Sequence, residues 1–74
     1  MDLFIEIHER NKDLDMQLAV TAISTYKEIY IKDPDGTTHI CILYIAKNGL
    51  RFEEEFANEE DREAKMEALE EYYE

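Results

Sequence analysis

The segment from Tyr26 to Phe56 alternates apolar and polar residues and is interrupted by two turn sequences. The first, Asp-Pro-Asp-Gly at 33–36, has proline where φ must be near −65° and glycine where φ must be positive, which predicts a type I turn with a bulge. The second, Asn-Gly at 48–49, is typical of a two-residue hairpin loop. The segment therefore predicts three consecutive antiparallel strands.

Each turn also predicts a pairing register. The first places Ile29 opposite Cys41, and the second, as a two-residue loop, places Ile45 opposite Phe52. The predicted core face then consists of Ile29, Ile31, Cys41, Leu43, Ile45, Phe52 and Phe56. The opposite face consists of Tyr26, Glu28, Tyr30, Ile40, Ile42, Tyr44, Arg51, Glu53 and Glu55. Glu54 is the exception, because this register points it toward the core face, and a bulge in the third strand would correct that.

The opposite face is too apolar at its centre to be ordinary solvated surface. Tyrosines surround aliphatic residues there, which is how the cores of protein interfaces are composed. We predict a partner-binding or homodimer surface formed by Tyr26, Tyr30, Ile40, Ile42 and Tyr44. A second layer built from the chain's own N-terminal strands is the alternative.

The N-terminal third of the chain predicts two further strands. Residues 1–9 form the first, and residues 10–13 are a polar break suited to a turn. Residues 14–23 alternate with period two and are rich in β-branched side chains toward their end, which favours a strand. A helix with Leu14, Leu18 and Ala22 on one stripe is the competing interpretation. Ser24 and Thr25 offer a kink into the central strands.

The C-terminal segment predicts a helix. Asn58 is a good N-cap, and the acids at 59–61 occupy the first turn, where the helix dipole favours negative charge. A stripe at helical spacing should face the sheet, and it consists of Arg62, Met66, Leu69 and Tyr73. We therefore predict an α+β fold: a mostly antiparallel, five-stranded meander sheet with one acidic C-terminal helix packed on its Ile29, Leu43, Ile45 and Phe52 face.

Length and composition limit the remaining possibilities. The 74 residues, 45% hydrophobic and 36% charged, predict one small folded domain spanning 1–74. The single cysteine, Cys41, excludes an internal disulfide and suits a buried reduced thiol. Because no signal peptide or membrane-length apolar run is present, we expect a soluble cytoplasmic protein, located in the host cytoplasm if a phage encodes it.

Residues that could carry chemistry lack the partners their chemistry needs. The sequence at 33–36 resembles the opening of a calcium loop, but the position where such a loop needs its final acid is Tyr44. His39 and Cys41 project from one strand face and His8 could add a third zinc ligand, yet no fourth is evident. The single serine has no catalytic motif around it. We predict no catalytic residue, no metal, no cofactor and no enzymatic activity.

Charge is the compositional outlier. The chain has a net charge of −11, and residues 53–74, with eleven acidic and two basic residues, carry −9 of it. Such a balance disfavours direct binding to nucleic acid or anionic membranes and favours basic protein partners. The plain interpretation is a solvated helix face that keeps a small apolar domain soluble. The sharper one is a rigid acidic surface that imitates nucleic acid toward a basic groove.

We predict a non-enzymatic protein-binding module whose acidic surface imitates nucleic acid. It would act as an inhibitor of a basic nucleic-acid-binding protein. Small phage-encoded inhibitors, including many anti-CRISPR proteins, are compact and acidic in this way, and that comparison rests on size and charge without a shared motif. A small homodimeric structural or assembly protein is the alternative. The candidate partner-binding acids are Glu53, Glu55, Glu59, Glu60, Asp61, Glu63, Glu67, Glu70 and Glu71.

Overall fold

A computed structural model describes residues 3–73, so residues 1–2 of the predicted first strand and Glu74 lie outside the described part. Five strands form one antiparallel sheet in the order β2-β1-β5-β4-β3, and one helix contacts it. The predicted α+β class is confirmed. The elements are β1 (Phe4–Glu9), β2 (Leu14–Ala19), a 3-10 turn (Val20–Ala22), β3 (Ile23–Lys32), β4 (Thr38–Ala46), β5 (Arg51–Phe56) and α1 (Glu59–Tyr72).

The sheet is strongly curved. β2 and β3 form its two edges, which in a flat sheet would lie four spacings of about 4.8 Å apart. Only the 3-10 turn joins them, and three residues of such a helix rise about 6 Å. The sheet must therefore curl until its edges approach at this end. The predicted strand over 14–23 is confirmed only to Ala19, and a register shift between Ile23 and Thr25 matches the expected kink.

The two hairpins of the central meander differ in how well the sequence predicted them. Ile29 pairs with Cys41, as expected from the first turn. In the second, the amide of Ala46 donates to the carbonyl of Leu50 at 2.8 Å, and the loop has three residues, 47–49, with Gly49 at φ 90°. A three-residue loop closed by glycine in the left-handed region is the next commonest hairpin after the two-residue type.

That one extra loop residue exchanges the faces of β5. Phe52 pairs with Tyr44, and the predicted pairing of Ile45 with Phe52 is wrong. A slip of one residue moves every side chain of a strand to the other side of the sheet. The predicted bulge at Glu54 is absent, because β5 pairs with β4 without interruption from Ile40 to Ile45.

The helix consequently lies on the face that the sequence analysis assigned to a partner. Leu69 of α1 is buried against the sheet, and Met66 packs beside it. The helix does not lie on the predicted face of Ile29, Leu43, Ile45 and Phe52. Of these four residues, only Phe52 is on the helix side of the sheet. The buried core cluster consists of Ile5, Ile7, Ile23, Ile42, Tyr44, Phe52 and Leu69. We call this side of the sheet the covered face.

The other side, which we call the open face, lies away from α1 and is reached by the side chains of Arg10 and Asn11 from the β1–β2 turn. It presents alternate residues of β3, β4 and β5. These are Thr25, Lys27, Ile29, Ile31 and Asp33 of β3 and its turn, His39, Cys41, Leu43 and Ile45 of β4, and Arg51, Glu53 and Glu55 of β5.

Candidate functional site

The helix begins at Glu59 and is capped by Asn58, as the sequence predicted. The Asn58 side chain accepts a hydrogen bond from the amide of Asp61 at 2.8 Å. Glu59, Glu60 and Asp61 fill the first turn, where the positive end of the helix dipole stabilises them. Glu59 also accepts a hydrogen bond from the hydroxyl of Tyr30 on β3.

Arg62, one of two basic residues in α1, points into the protein. It is only 4% exposed, and its guanidinium lies 4.6 Å from the centre of the Tyr30 ring. It donates to the carbonyl of Ile29 and to the Tyr30 hydroxyl, both at 3.1 Å, and lies 3.0 Å from a carboxylate oxygen of Glu28. All of its recorded partners belong to β3, so Arg62 fastens the helix to that edge strand.

Lys65, the second basic residue, also points toward the sheet. Its ammonium donates to the carbonyl of Glu6 at 2.7 Å and lies 3.7 Å from the carboxylate of Glu54. Glu54, 12% exposed at its side chain, also accepts from the hydroxyl of Tyr44 at 2.7 Å. Both cationic side chains of α1 are therefore bonded to the sheet.

The outward side of α1 is acidic along its length. Six exposed carboxylates fall within residues 60–71, and at 1.5 Å of rise per residue these twelve positions span about 18 Å. That is one charge per ~3 Å of axis, close to the one phosphate per ~3.4 Å of a single DNA strand. The last turn contains no basic residue. The outward carboxylates belong to Glu60, Asp61, Glu63, Glu67, Glu70 and Glu71.

Glu53 and Glu55 do not join this surface. Their side chains lie on the open face, on the side of the sheet away from α1. Glu53 accepts from the Asn11 side chain at 2.6 Å, and Arg10 lies 3.6 Å from the same oxygen. The nine predicted acids therefore form two groups, and only those of α1 share one surface.

The predicted aromatic surface is mostly interior. Ile42 and Tyr44 are fully buried beneath α1, and Tyr26 packs against Tyr73 with the ring centres 5.4 Å apart. Tyr30, 56% exposed, remains accessible at the edge, and Ile40 is half-buried. The chain's own helix covers this face, so its composition of tyrosine and isoleucine belongs to the core.

The open face carries a row of four charged side chains that the sequence analysis did not identify. Arg10 donates to Glu55 at 3.1 Å, the other oxygen of Glu55 lies 2.7 Å from Nδ1 of His39, and Nε2 of His39 lies 2.7 Å from Asp33. The row crosses β5, β4 and the end of β3, next to the fully buried Cys41. Burial raises the pKa of the Cys41 thiol, which favours its protonated form. We call these four residues the charged row.

A buried carboxylate, Glu9, was also missed. It is 2% exposed and accepts from the amides of Asn11, at 2.7 Å, and of Glu53. Glu9 therefore joins the β1–β2 hairpin to β5, at the point where β1 pairs with β5 through Glu9 and Glu54. Sequence patterns give little sign of such a role, because it depends on a contact between residues 44 positions apart.

A cavity of about 740 Å³ within the described residues is widely open to solvent. Its lining residues are Glu6, Ile7, His8, Asp15, Met16, Gln17 and Glu54. Within residues 3–73 no group of three or more histidine, cysteine or acidic side chains is arranged to hold a metal ion. Across the same range, no helix combines the length and apolar character needed to cross a membrane.

Comparisons with models of protein families, with curated protein sequences and with solved structures found no match to this chain.

Proposed function

We propose that this protein is a non-enzymatic binding module that presents the outward side of α1 to a basic protein, in place of nucleic acid. The observation that carries the proposal is the orientation of Arg62 and Lys65. Both are held against the sheet, so six carboxylates follow one another on the outward side without an intervening cation.

The spacing and rigidity of these charges support mimicry of a nucleic-acid strand. A groove lined with lysine and arginine binds phosphates mainly through their charge, and a similar linear charge density would engage the same side chains. Because Leu69 and Arg62 fix the helix to the sheet, the backbone positions that carry its carboxylates would be set before binding. Complementary charge of this kind chiefly accelerates association and makes it sensitive to salt.

The proposed surface is narrower than the one predicted from sequence. Glu53 and Glu55 belong to the charged-row side of the sheet and are left out of it. Glu59 lies at its border, because its carboxylate is engaged by Tyr30. The partner we propose is a nuclease, polymerase or other basic nucleic-acid-handling protein in the cytoplasm, with a phage-encoded inhibitor as the biological setting.

The test compares two variants with equal changes in charge. Glu63→Gln, Glu67→Gln and Glu70→Gln neutralise the outward side of α1, whereas Asp13→Asn, Asp15→Asn and Asp35→Asn neutralise exposed carboxylates elsewhere. Proteins captured from lysate of the host or its target cell on the unmodified chain should be displaced by added duplex DNA. The helix variant should capture them poorly and with a weaker salt dependence, and the control variant should capture them normally.

Two outcomes would refute the proposal. One is equal capture by both variants, which would make the acids of α1 a solubilising surface only. The other is a captured protein that still binds DNA fully while saturated with this chain, which would exclude the decoy mechanism even though an interaction exists.

A further inference from the structure

The hydrogen bonds of His39 require both of its ring nitrogens to carry a proton. Nδ1 and Nε2 each lie 2.7 Å from an oxygen of a different carboxylate, Glu55 and Asp33. Ionised carboxylates only accept hydrogen bonds, and a neutral imidazole has a single N–H to donate. Two such contacts at this length are therefore satisfied together only when the imidazole is the imidazolium cation.

The position of His39 gives this charge a structural role. It stands at the centre of the charged row and is only 17% exposed at its side chain. Through Glu55 it is connected to Arg10 beyond β5, and through Asp33 to the β3–β4 turn. The helix α1 packs on the covered face of the sheet. On the open face the charged row lies across the strands, beside Cys41, which has no exposed surface.

We propose that His39 is a proton-controlled clasp: when protonated it connects Glu55 to Asp33 across the open face, and when it loses its proton it releases the Asp33 side chain. The remaining N–H should stay with Glu55, because Arg10 holds that carboxylate in place from its other oxygen. Asp33 is 44% exposed and lies at a turn, so it can rotate into water. This inference rests on the charged row alone and is independent of the proposed function.

The acids around His39 favour its cationic form, and the nearby cation Arg10 is balanced by Glu55. Asp33 and Glu55 raise the pKa of His39 through their hydrogen bonds, which outweigh the opposing effect of burial. Asp35, on the same turn, has a lowered pKa, chiefly because its carboxylate accepts hydrogen bonds from Thr37 and to a smaller extent because of the charge of His39. Arg10, the nearby cation, is already bonded to Glu55.

The sign of the pH dependence follows from linkage. A histidine whose pKa is raised in the folded state contributes stability that is fully present below its unfolded value of about 6.5. That contribution is lost as pH rises through the raised, folded value. At the acid end, His39 lowers the pKa of Glu55, so the same contact is also lost as pH falls through the folded pKa of that carboxyl, below 4.5. The clasp should be closed between these limits.

The experiment uses the whole chain, His39→Gln, and His8→Gln as a matched control. His8 also lies between two carboxylates, Asp15 at 2.7 Å and Asp13 at 2.8 Å, but it is 50% exposed and both acids are 92% exposed. Urea unfolding from pH 5.5 to pH 8, below the range in which the Cys41 thiol ionises, should show the unmodified chain losing stability through the upper half of that range. His39→Gln should remove most of this loss, and His8→Gln should leave most of it.

Two further measurements test the proposed role of His39. Proton NMR of the unmodified chain should give His39 a pKa above 6.5, and it remains decisive if His39→Gln fails to fold. At pH 6 a thiol reagent should modify Cys41 faster in His39→Gln than in the unmodified chain, because the substitution removes the contact to Glu55 beside Cys41 as well as the contact to Asp33. A His39 pKa at or below 6.5, an unchanged pH dependence in a folded His39→Gln, or equal thiol rates at pH 6 would each overturn the proposal.

Discussion

The two faces of this sheet are closed by different means. On the covered face, α1 lays Leu69 and Met66 over isoleucines and aromatic residues, and burial of apolar surface stabilises the contact. On the open face, Cys41 and Leu43 are also buried, and side chains of the β1–β2 turn and the charged row lie on that face. Burial of these strand residues is therefore not a sign that α1 packs over them.

The same comparison explains how the charges are sorted. The cations of α1 face the covered side, where they bond to backbone carbonyls and to Glu28 and Glu54. Glu53 and Glu55 of β5 face the open side, where Arg10 and His39 neutralise them. The outward side of α1 has no such compensation within residues 3–73. The net charge of −11 is thus concentrated by the fold, and the concentration is what the proposed function uses.

The largest difference between the faces should appear when an aliphatic side chain is shortened. Ile42→Ala, on the covered face, should lower the free energy of unfolding by about 2–5 kcal/mol because it leaves a cavity under α1. Ile29→Ala, at a half-buried position of the open face, should lower the free energy of unfolding by only about 1 kcal/mol. Urea unfolding measures both. The reverse order would mean that the helix lies over the Ile29 face after all.

This contrast also marks where sequence reasoning succeeds. The first hairpin was predictable because proline and glycine specify its turn, and the helix start was predictable because Asn58 and three acids form an N-terminal signature. The second hairpin was not, since Asn-Gly fits both a two-residue loop and the end of a three-residue loop. That ambiguity alone assigned α1 to the wrong face.

The candidate site was predictable to a similar degree. A run of acids at helical spacing identified the outward side of α1, and the stripe containing Arg62 predicted which side faces inward. The charged row was not predictable, because it brings Arg10 and Asp33 together across strands that are distant in sequence. Local patterns identify which faces of an element are polar, whereas tertiary pairing decides which polar residues neutralise one another.

The next largest effect should come from Arg62, the cation of the covered face. Arg62→Met should cost about 1–3 kcal/mol, since it removes hydrogen bonds to Ile29 and Tyr30 while keeping much of the buried volume. Arg51→Met on the exposed open face should change stability by less than about 0.5 kcal/mol. Thermal unfolding of the pair measures the difference, and equal losses would show that Arg62 does not fasten the helix.

A smaller effect is expected at Tyr44, a polar contact beneath α1. Burial raises the pKa of Tyr44 far above its usual range, so the hydroxyl remains a donor to Glu54 at any working pH. Tyr44→Phe should cost about 1 kcal/mol, because Glu54 keeps Lys65 nearby. The same substitution at Tyr72, which is 43% exposed, serves as the control and should be nearly neutral. A neutral Tyr44→Phe would show that water replaces the hydroxyl.

The smallest predicted change is a gain in stability on the outward side of α1. Glu71 lies in the last turn, where the negative end of the helix dipole and the absence of basic residues both disfavour a carboxylate. Glu71→Lys should therefore raise the free energy of unfolding by about 0.3–1 kcal/mol at low salt, and Glu71→Gln by less. Added salt should reduce both gains, because the group is exposed and screened. If the gain is found while capture of the basic partner falls, the acids of α1 are retained at a cost in stability, as a binding role requires. A substitution that leaves stability unchanged at low salt would show that the dipole does not oppose these acids, and the stability cost would then be no argument for function.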